Sequence, residues 1–164
     1  GADLELLGLL VAAGSGMWQL KPRSSADVEV TAPVISVAEA RSAAVGALVV
    51  VNAVGDVFSI EGESLTGGAH EPGPPALIPE SLANTTLAVV ATDAELSRNE
   101  LSRLAVRAQD AFAVCIRPAH TRFDGDLVFA VSCGEAKAEV EGLAEAAFGA
   151  TAAAIEAAVR ASAF

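Results

Sequence analysis

The sequence predicts an α+β fold, a single domain over residues 1–164 in which a sheet and helices stack as a layered sandwich. Three observations carry this. Ala47–Ala53 and the run after Asn84 are continuous apolar strands, apolar on both faces, as strands inside a layered structure are. Ser97 and Glu100 form a capping box that opens an amphipathic helix. An Ala-rich segment over 138–162 reads as a second helix, whose small side chains permit close packing.

Composition bounds the rest. Hydrophobic residues make up 52% of the 164 residues, enough for a globular core. Aromatics are only 4% with no Tyr, so the core is built from Ala, Val and Leu. The net charge of -11 argues against nucleic acid, where Lys and Arg must neutralise phosphates, and against anionic membranes. Leu4–Ala13 is apolar but too short to span a bilayer and has no basic flank. Cys115 and Cys133 form no CxxC pair, and two thiols of this kind fit a reducing cytoplasm, although a disulfide stays open. The chain opens on Gly1 and not on Met, which fits a fragment or a processed form.

In chain order, residues 2–13 read as a short helix or a buried apolar run, broken at Gly14-Ser15-Gly16-Met17. That Gly-x-Gly lacks the strand–turn–helix setting of a phosphate loop. Over 22–44 two readings stay open: strand around Val34–Val37, or a short helix opened by Ser36-x-x-Glu39. Gly55-Asp56 is a turn, and Val57–Ile60 is expected as the returning strand of a hairpin. Residues 61–83 form a Gly/Pro/Glu-rich loop, suited to cleavage. The capped helix should run to about Ile116, with Leu101, Leu104, Ala105, Ala108, Phe112 and Cys115 on its core face and Arg98, Arg103 and Arg107 toward water. Leu127–Ser132 is a further strand.

The chemistry concentrates at Asn84-Thr85-Thr86. A loop that delivers a small hydroxyl residue to the start of a buried strand is one way to build an amino-terminal nucleophile: the chain cuts itself, and the new terminus supplies hydroxyl and amine together. The plainer alternative is a turn leading into a Thr-rich strand. The same residues also read as a glycosylation sequon. Asp124-Gly125-Asp126 sets two carboxylates close together, able to orient an amine or to bind a substrate ammonium group. It reads equally as a turn with capping carboxylates. EF-hand spacing is absent, and no metal or cofactor is expected. His120 and Cys115 read as structural.

Three ordered segments, 45–56, 84–93 and 116–130, together resemble the DmpA-like aminopeptidases: L-aminopeptidase/D-Ala-esterase, β-peptidyl aminopeptidases and the nylon-oligomer endo-hydrolase. The resemblance covers about residues 14–134. It implies an αββα sandwich of the amino-terminal-nucleophile type and self-cleavage between Asn84 and Thr85, with Thr85 as catalytic nucleophile. Asp124 and Asp126 match its acidic site positions, Asn52 an oxyanion-hole donor, and Lys21 a lysine after the Gly-x-Gly-Met segment. The substrate class implied is small peptides or amide oligomers. Family members are longer, and their amino-terminal half has no counterpart here. A homo-oligomer or a partner chain is therefore expected to complete the layers. Two other functions stay open: a non-catalytic subunit acting by association, and acyl transfer of the ornithine acetyltransferase kind.

Overall fold

The structure, a computed structural model, describes residues 34–40 (backbone), 43–67, 84–122 and 124–162. The core is a four-stranded sheet in the order β1 (Val34–Ala40), β2 (Ala43–Val50), β4 (Leu87–Ala94), β6 (Leu127–Ala136). β1–β2 and β2–β4 are antiparallel, and β4–β6 is parallel. A parallel pair needs a crossover, which α1 (Arg98–Cys115) provides. Two short strands, β3 (Asp56–Val57) and β5 (Ile116–Arg117), form a separate clip, and α2 (Val140–Ser162) closes the described chain.

One face of the sheet lies under the helices. Register rows Val45–Thr92–Ser132, Ala47–Val90–Ala130 and Val49–Ala88–Val128 cross β2, β4 and β6. Val45, Val49 and Val90 are wholly buried against Leu104, Phe112, Leu143 and Ile155 of the helices. The alternate rows, Gly46–Ala91–Val131, Leu48–Val89–Phe129 and Val50–Leu87–Leu127, occupy the opposite face. There Leu87, Leu127, Phe129 and Val131 are exposed. The strands are thus apolar on both faces, as their composition requires, while only one face is covered among the described residues.

α1 starts where the capping box places it. The Ser97 hydroxyl accepts from the Glu100 N–H at 3.4 Å, and the Glu100 carboxylate accepts from the Ser97 N–H at 2.7 Å. Leu104, Ala108, Ala111, Phe112 and Cys115 are its buried residues, with Leu101 and Ala105 at the margins. Burial pushes the Cys115 thiol up to about 11, so it is a core residue and not a nucleophile. Arg103 and Arg107 do not simply face water. Each forks onto a carboxylate of α2, Glu141 and Glu145 respectively, and Arg107 also lies 4.1 Å over the Phe148 ring.

The Ala stripe of α2 works as expected. Ala147, Ala150, Ala154 and Ala158 are essentially closed to solvent where the helix packs on α1, β1 and β2. Ala154→Leu should overpack this layer and cost about 1–3 kcal/mol. Ala153, on the exposed side, should accept Leu within about 0.5 kcal/mol. Melting temperatures of the two variants check this pair.

Two expectations are corrected, and one open choice is decided. Of the two readings for 34–40 the strand holds and not the helix opened at Ser36, because β1 pairs with β2 along its whole length. Val57 does not return onto the preceding strand: β3 pairs with β5 across α1, Phe58 N–H reaches the Cys115 carbonyl at 2.7 Å, and 57–59 turn back tightly on 63–65, where Phe58 bridges Ser64. β6 continues past Ser132 to Ala136, with a bulge opposite Asp93. Gly134 permits it, since a Cβ there would stand 2.1 Å from the Asp93 carbonyl oxygen. The helix or buried apolar run expected over 2–13 lies outside the described residues.

Candidate active site

The topology brings three segments to one end of the sheet. β2 runs antiparallel to β4, so its carboxyl end at Val50 lies beside the start of β4 at Leu87. β6 runs parallel to β4, so its start at Leu127 lies on the other side. The residues just outside these ends, 51–52, 84–86 and 124–126, therefore converge, and they carry most of the expected site.

Thr85 stands between its two neighbours, two residues ahead of the strand. Its N–H donates to the Asn52 main-chain carbonyl at 2.8 Å. Its hydroxyl donates to the carbonyl oxygen of Asn84 at 2.8 Å, the peptide expected to break. That oxygen also accepts the Gly125 N–H at 3.0 Å. Asn84 and Asp124 form a parallel bridge, and the Leu127 N–H donates to the Thr86 carbonyl at 3.0 Å, extending the β4–β6 ladder through the site. The approach at Gly125 is close. A Cβ on Gly125 would meet Thr85 Oγ1 at 2.8 Å, so any larger residue would displace the hydroxyl.

The two carboxylates do different things. Asp126 Oδ1 accepts the Thr86 N–H at 2.9 Å. Its other oxygen lies 2.9 Å from His120 Nδ1 and accepts the His120 N–H at 3.4 Å, and the side chain is only 6% exposed. Asp124 Oδ2 accepts the Thr121 N–H at 2.8 Å, and the Asp124 N–H donates to the Thr121 carbonyl at 3.1 Å. Asp124 thus holds the turn, and Asp126 holds the residue after Thr85.

The structure brings together Asn52, Asn84, Thr85, Asp124 and Asp126; Lys21 lies outside the described residues. The contact between Asn52 and Thr85 runs through the Asn52 backbone, which sequence reasoning did not anticipate. Nor did it anticipate the contact of His120, which it read as structural, with Asp126. The one local hint is that His120 sits next to a proline turn, six positions before Asp126, a spacing with no helical or strand period. Among the described residues, no group of His, Cys, Asp and Glu side chains suits a metal ion.

Thr86 is fully buried, and its hydroxyl has no hydrogen-bond partner among the described residues. An unpartnered buried hydroxyl costs about 1–3 kcal/mol. Thr86→Val keeps the branched shape and the backbone bond to Asp126. It should leave the melting temperature unchanged or raise it. Thermal unfolding checks this.

An uncharacterised aminopeptidase of Mycobacterium leprae is 43% identical over 112 residues, covering 57% of this chain and 30% of the relative. An uncharacterised aminopeptidase of Mycobacterium tuberculosis is 40% identical over 108 residues, covering 55% of this chain and 31% of the relative. The chain therefore spans about a third of the length of the curated relatives it matches. Among solved structures, the L-aminopeptidase D-Ala-esterase/amidase from Ochrobactrum anthropi aligns with a TM-score of 0.55 at 22% identity, covering 80% of this chain and 41% of that one. That protein is a prototype for the serine aminopeptidases and a variant of the Ntn hydrolase fold, and the likeness assigns the layered α+β architecture here to that fold. The model of peptidase family S58 matches residues 11–164, and the chain belongs to this family.

Proposed function

We propose that the chain belongs to a self-processing amide hydrolase that uses Thr85 as an amino-terminal nucleophile on small peptides or amide oligomers. The observation that carries this reading is the Asn84 carbonyl oxygen, which takes both the Thr85 hydroxyl and the Gly125 N–H. The nucleophile touches the peptide to be cut, and a backbone donor is aimed at the oxygen where negative charge would develop.

Self-cleavage then proceeds by attack of Thr85 Oγ1 on the Asn84 carbonyl carbon. The Asn84–Thr85 C–N bond breaks, leaving an ester on the hydroxyl and a free Thr85 amine. Water hydrolyses the ester and releases the Asn84 carboxylate. The amine stays within reach of the Asn52 carbonyl and serves as base when the hydroxyl attacks a substrate amide. The Asn52 side-chain amide is the proposed oxyanion donor for that step, an effect of roughly 3 kcal/mol. Lys21 keeps the role the family resemblance implies.

Intact mass of the purified chain, followed over time, tests the reading: fragments 1–84 and 85–164 should replace the full-length species. A full-length mass that persists would overturn self-processing. It would favour association as the function, for which the exposed sheet face of Leu87, Leu127, Phe129 and Val131 is the supporting feature.

A further inference from the structure

His120 is placed in a way that a simple turn does not require. Its backbone has φ 53°, in the left-handed region that residues other than Gly seldom occupy and where Asn, Asp and His are enriched. From there both of its nitrogens with reach, the main-chain N–H and Nδ1, converge on one oxygen, Asp126 Oδ2. Nδ1 at 2.9 Å must carry the proton to donate to a carboxylate, which fixes the orientation of the ring. The ring leans on the buried Phe112 at the end of α1, with centroids 6.0 Å apart. The carboxylate it grips is nearly buried, and its other oxygen holds the Thr86 N–H. Imidazole, carboxylate and amide thus form a chain that ends one residue past Thr85.

We propose that His120 is a positioning residue: by holding Asp126 Oδ2 it keeps Asp126 Oδ1 on the Thr86 amide and so fixes the peptide that follows the nucleophile. The role for catalysis rests on the reading of Thr85 as nucleophile; the link itself does not. A carboxylate gripped at one oxygen cannot rotate its other oxygen away from Thr86 without breaking two bonds to His120. Residue 86 is bonded directly to Thr85, so its position passes to the hydroxyl that faces the Asn84 carbonyl.

Two substitutions separate positioning from turn geometry. His120→Asn keeps the left-handed backbone and sets an amide N–H where Nδ1 stands. His120→Asp has the same size and backbone tolerance but presents an acceptor to an acceptor. The first measurement follows the Thr86 amide proton by NMR in 15N-labelled chain carrying Thr85→Ala, so that cleavage plays no part. Its resonance and its protection from exchange should stay near the parent values in the His120→Asn chain. Both should fall away in the His120→Asp chain. The second follows the appearance of fragment 85–164 in chains with Thr85 intact. Losing an orienting partner of this kind costs roughly tenfold or more, so His120→Asp should cut at least about tenfold more slowly than His120→Asn. His120→Gly, which relaxes the backbone and donates nothing from a side chain, should behave like His120→Asp and replaces it should that chain not fold. Equal Thr86 amides in all variants would overturn the proposal and make His120 a turn residue only. A Thr86 amide that responds as expected, together with a parent chain with Thr85 intact that never cuts, would uphold the link and overturn the hydrolase reading instead.

Discussion

Thr85→Ala is expected to leave one full-length chain under conditions in which the parent becomes fragments 1–84 and 85–164. The hydroxyl is the group of residue 85 that touches the Asn84 carbonyl oxygen. Removing a nucleophile of this type costs on the order of 10⁶-fold in rate, which is no cleavage on any practical timescale. Thr85→Ser should retain the cut, because the Oγ remains and the lost methyl has no part in the hydrogen bond to Asn84. Folding should survive both changes, since the Thr85 N–H to Asn52 and the Gly125 N–H to Asn84 are backbone bonds. Electrophoresis under denaturing conditions, with intact mass to locate the cut, reads all three chains side by side. Cleavage that persists in the Ala chain would remove Thr85 as the attacking group. Cleavage lost in the Ser chain, with its fold unchanged, would mean that the methyl is needed to hold the rotamer.

Much of the fold was legible because its signals are local. The capping box at Ser97 and Glu100 and the apolar runs of β2 and β4 need only neighbours in sequence to be read. What failed was long-range. Val57 looks like a returning hairpin strand, yet its partner Ile116 is brought to it by α1, and no local period encodes that. At Ser36-x-x-Glu39 local signals left helix and strand both open, and only the pairing of β1 with β2 decides for strand, supplying backbone bonds that outweigh a weak capping preference. The candidate site was legible through resemblance, as three ordered segments, and the topology gives the physical reason for their grouping. An antiparallel and a parallel neighbour of β4 bring residues 51–52 and 124–126 to the same end as Thr85. The contacts that bind these segments run largely through the backbone, as with the Asn52 and Asn84 carbonyls, and side-chain identity does not report them. His120 read as structural, and its partner was not legible for a related reason: only the folded turn places an oxygen of Asp126 in its reach.

The second large effect is expected at Asp126, and it should differ from that at Asp124 although the two flank the same glycine. Asp126 accepts three donors, from Thr86 N–H, His120 N–H and His120 Nδ1, inside a nearly buried environment. Asp126→Asn offers one acceptor oxygen and turns the other position into a donor. If the amide oxygen stays on Thr86, its NH₂ faces the His120 N–H, which has no way to reverse its polarity. If it turns to His120, the Thr86 N–H loses its partner. Either way a donor is orphaned, at a cost of about 1–3 kcal/mol, and the peptide after Thr85 is no longer pinned. Melting temperature and cutting rate should therefore fall together, the rate by roughly 10-fold to 100-fold. Asp124 accepts from the Thr121 N–H, and the oxygen of Asn can do the same. Asp124→Asn should keep its stability within about 0.5 kcal/mol of the parent. Any fall in its cutting rate then reports the lost charge near the Asn84–Thr85 peptide, because the turn is intact. Thermal unfolding and the rate of appearance of fragment 85–164, measured on both variants, separate the two roles. Equal losses of stability at the two positions would contradict the division of labour drawn from their hydrogen bonds. An Asp124→Asn chain that cuts at the parent rate would confine that carboxylate to holding the turn, leaving Asp126 as the acidic group on which the site depends.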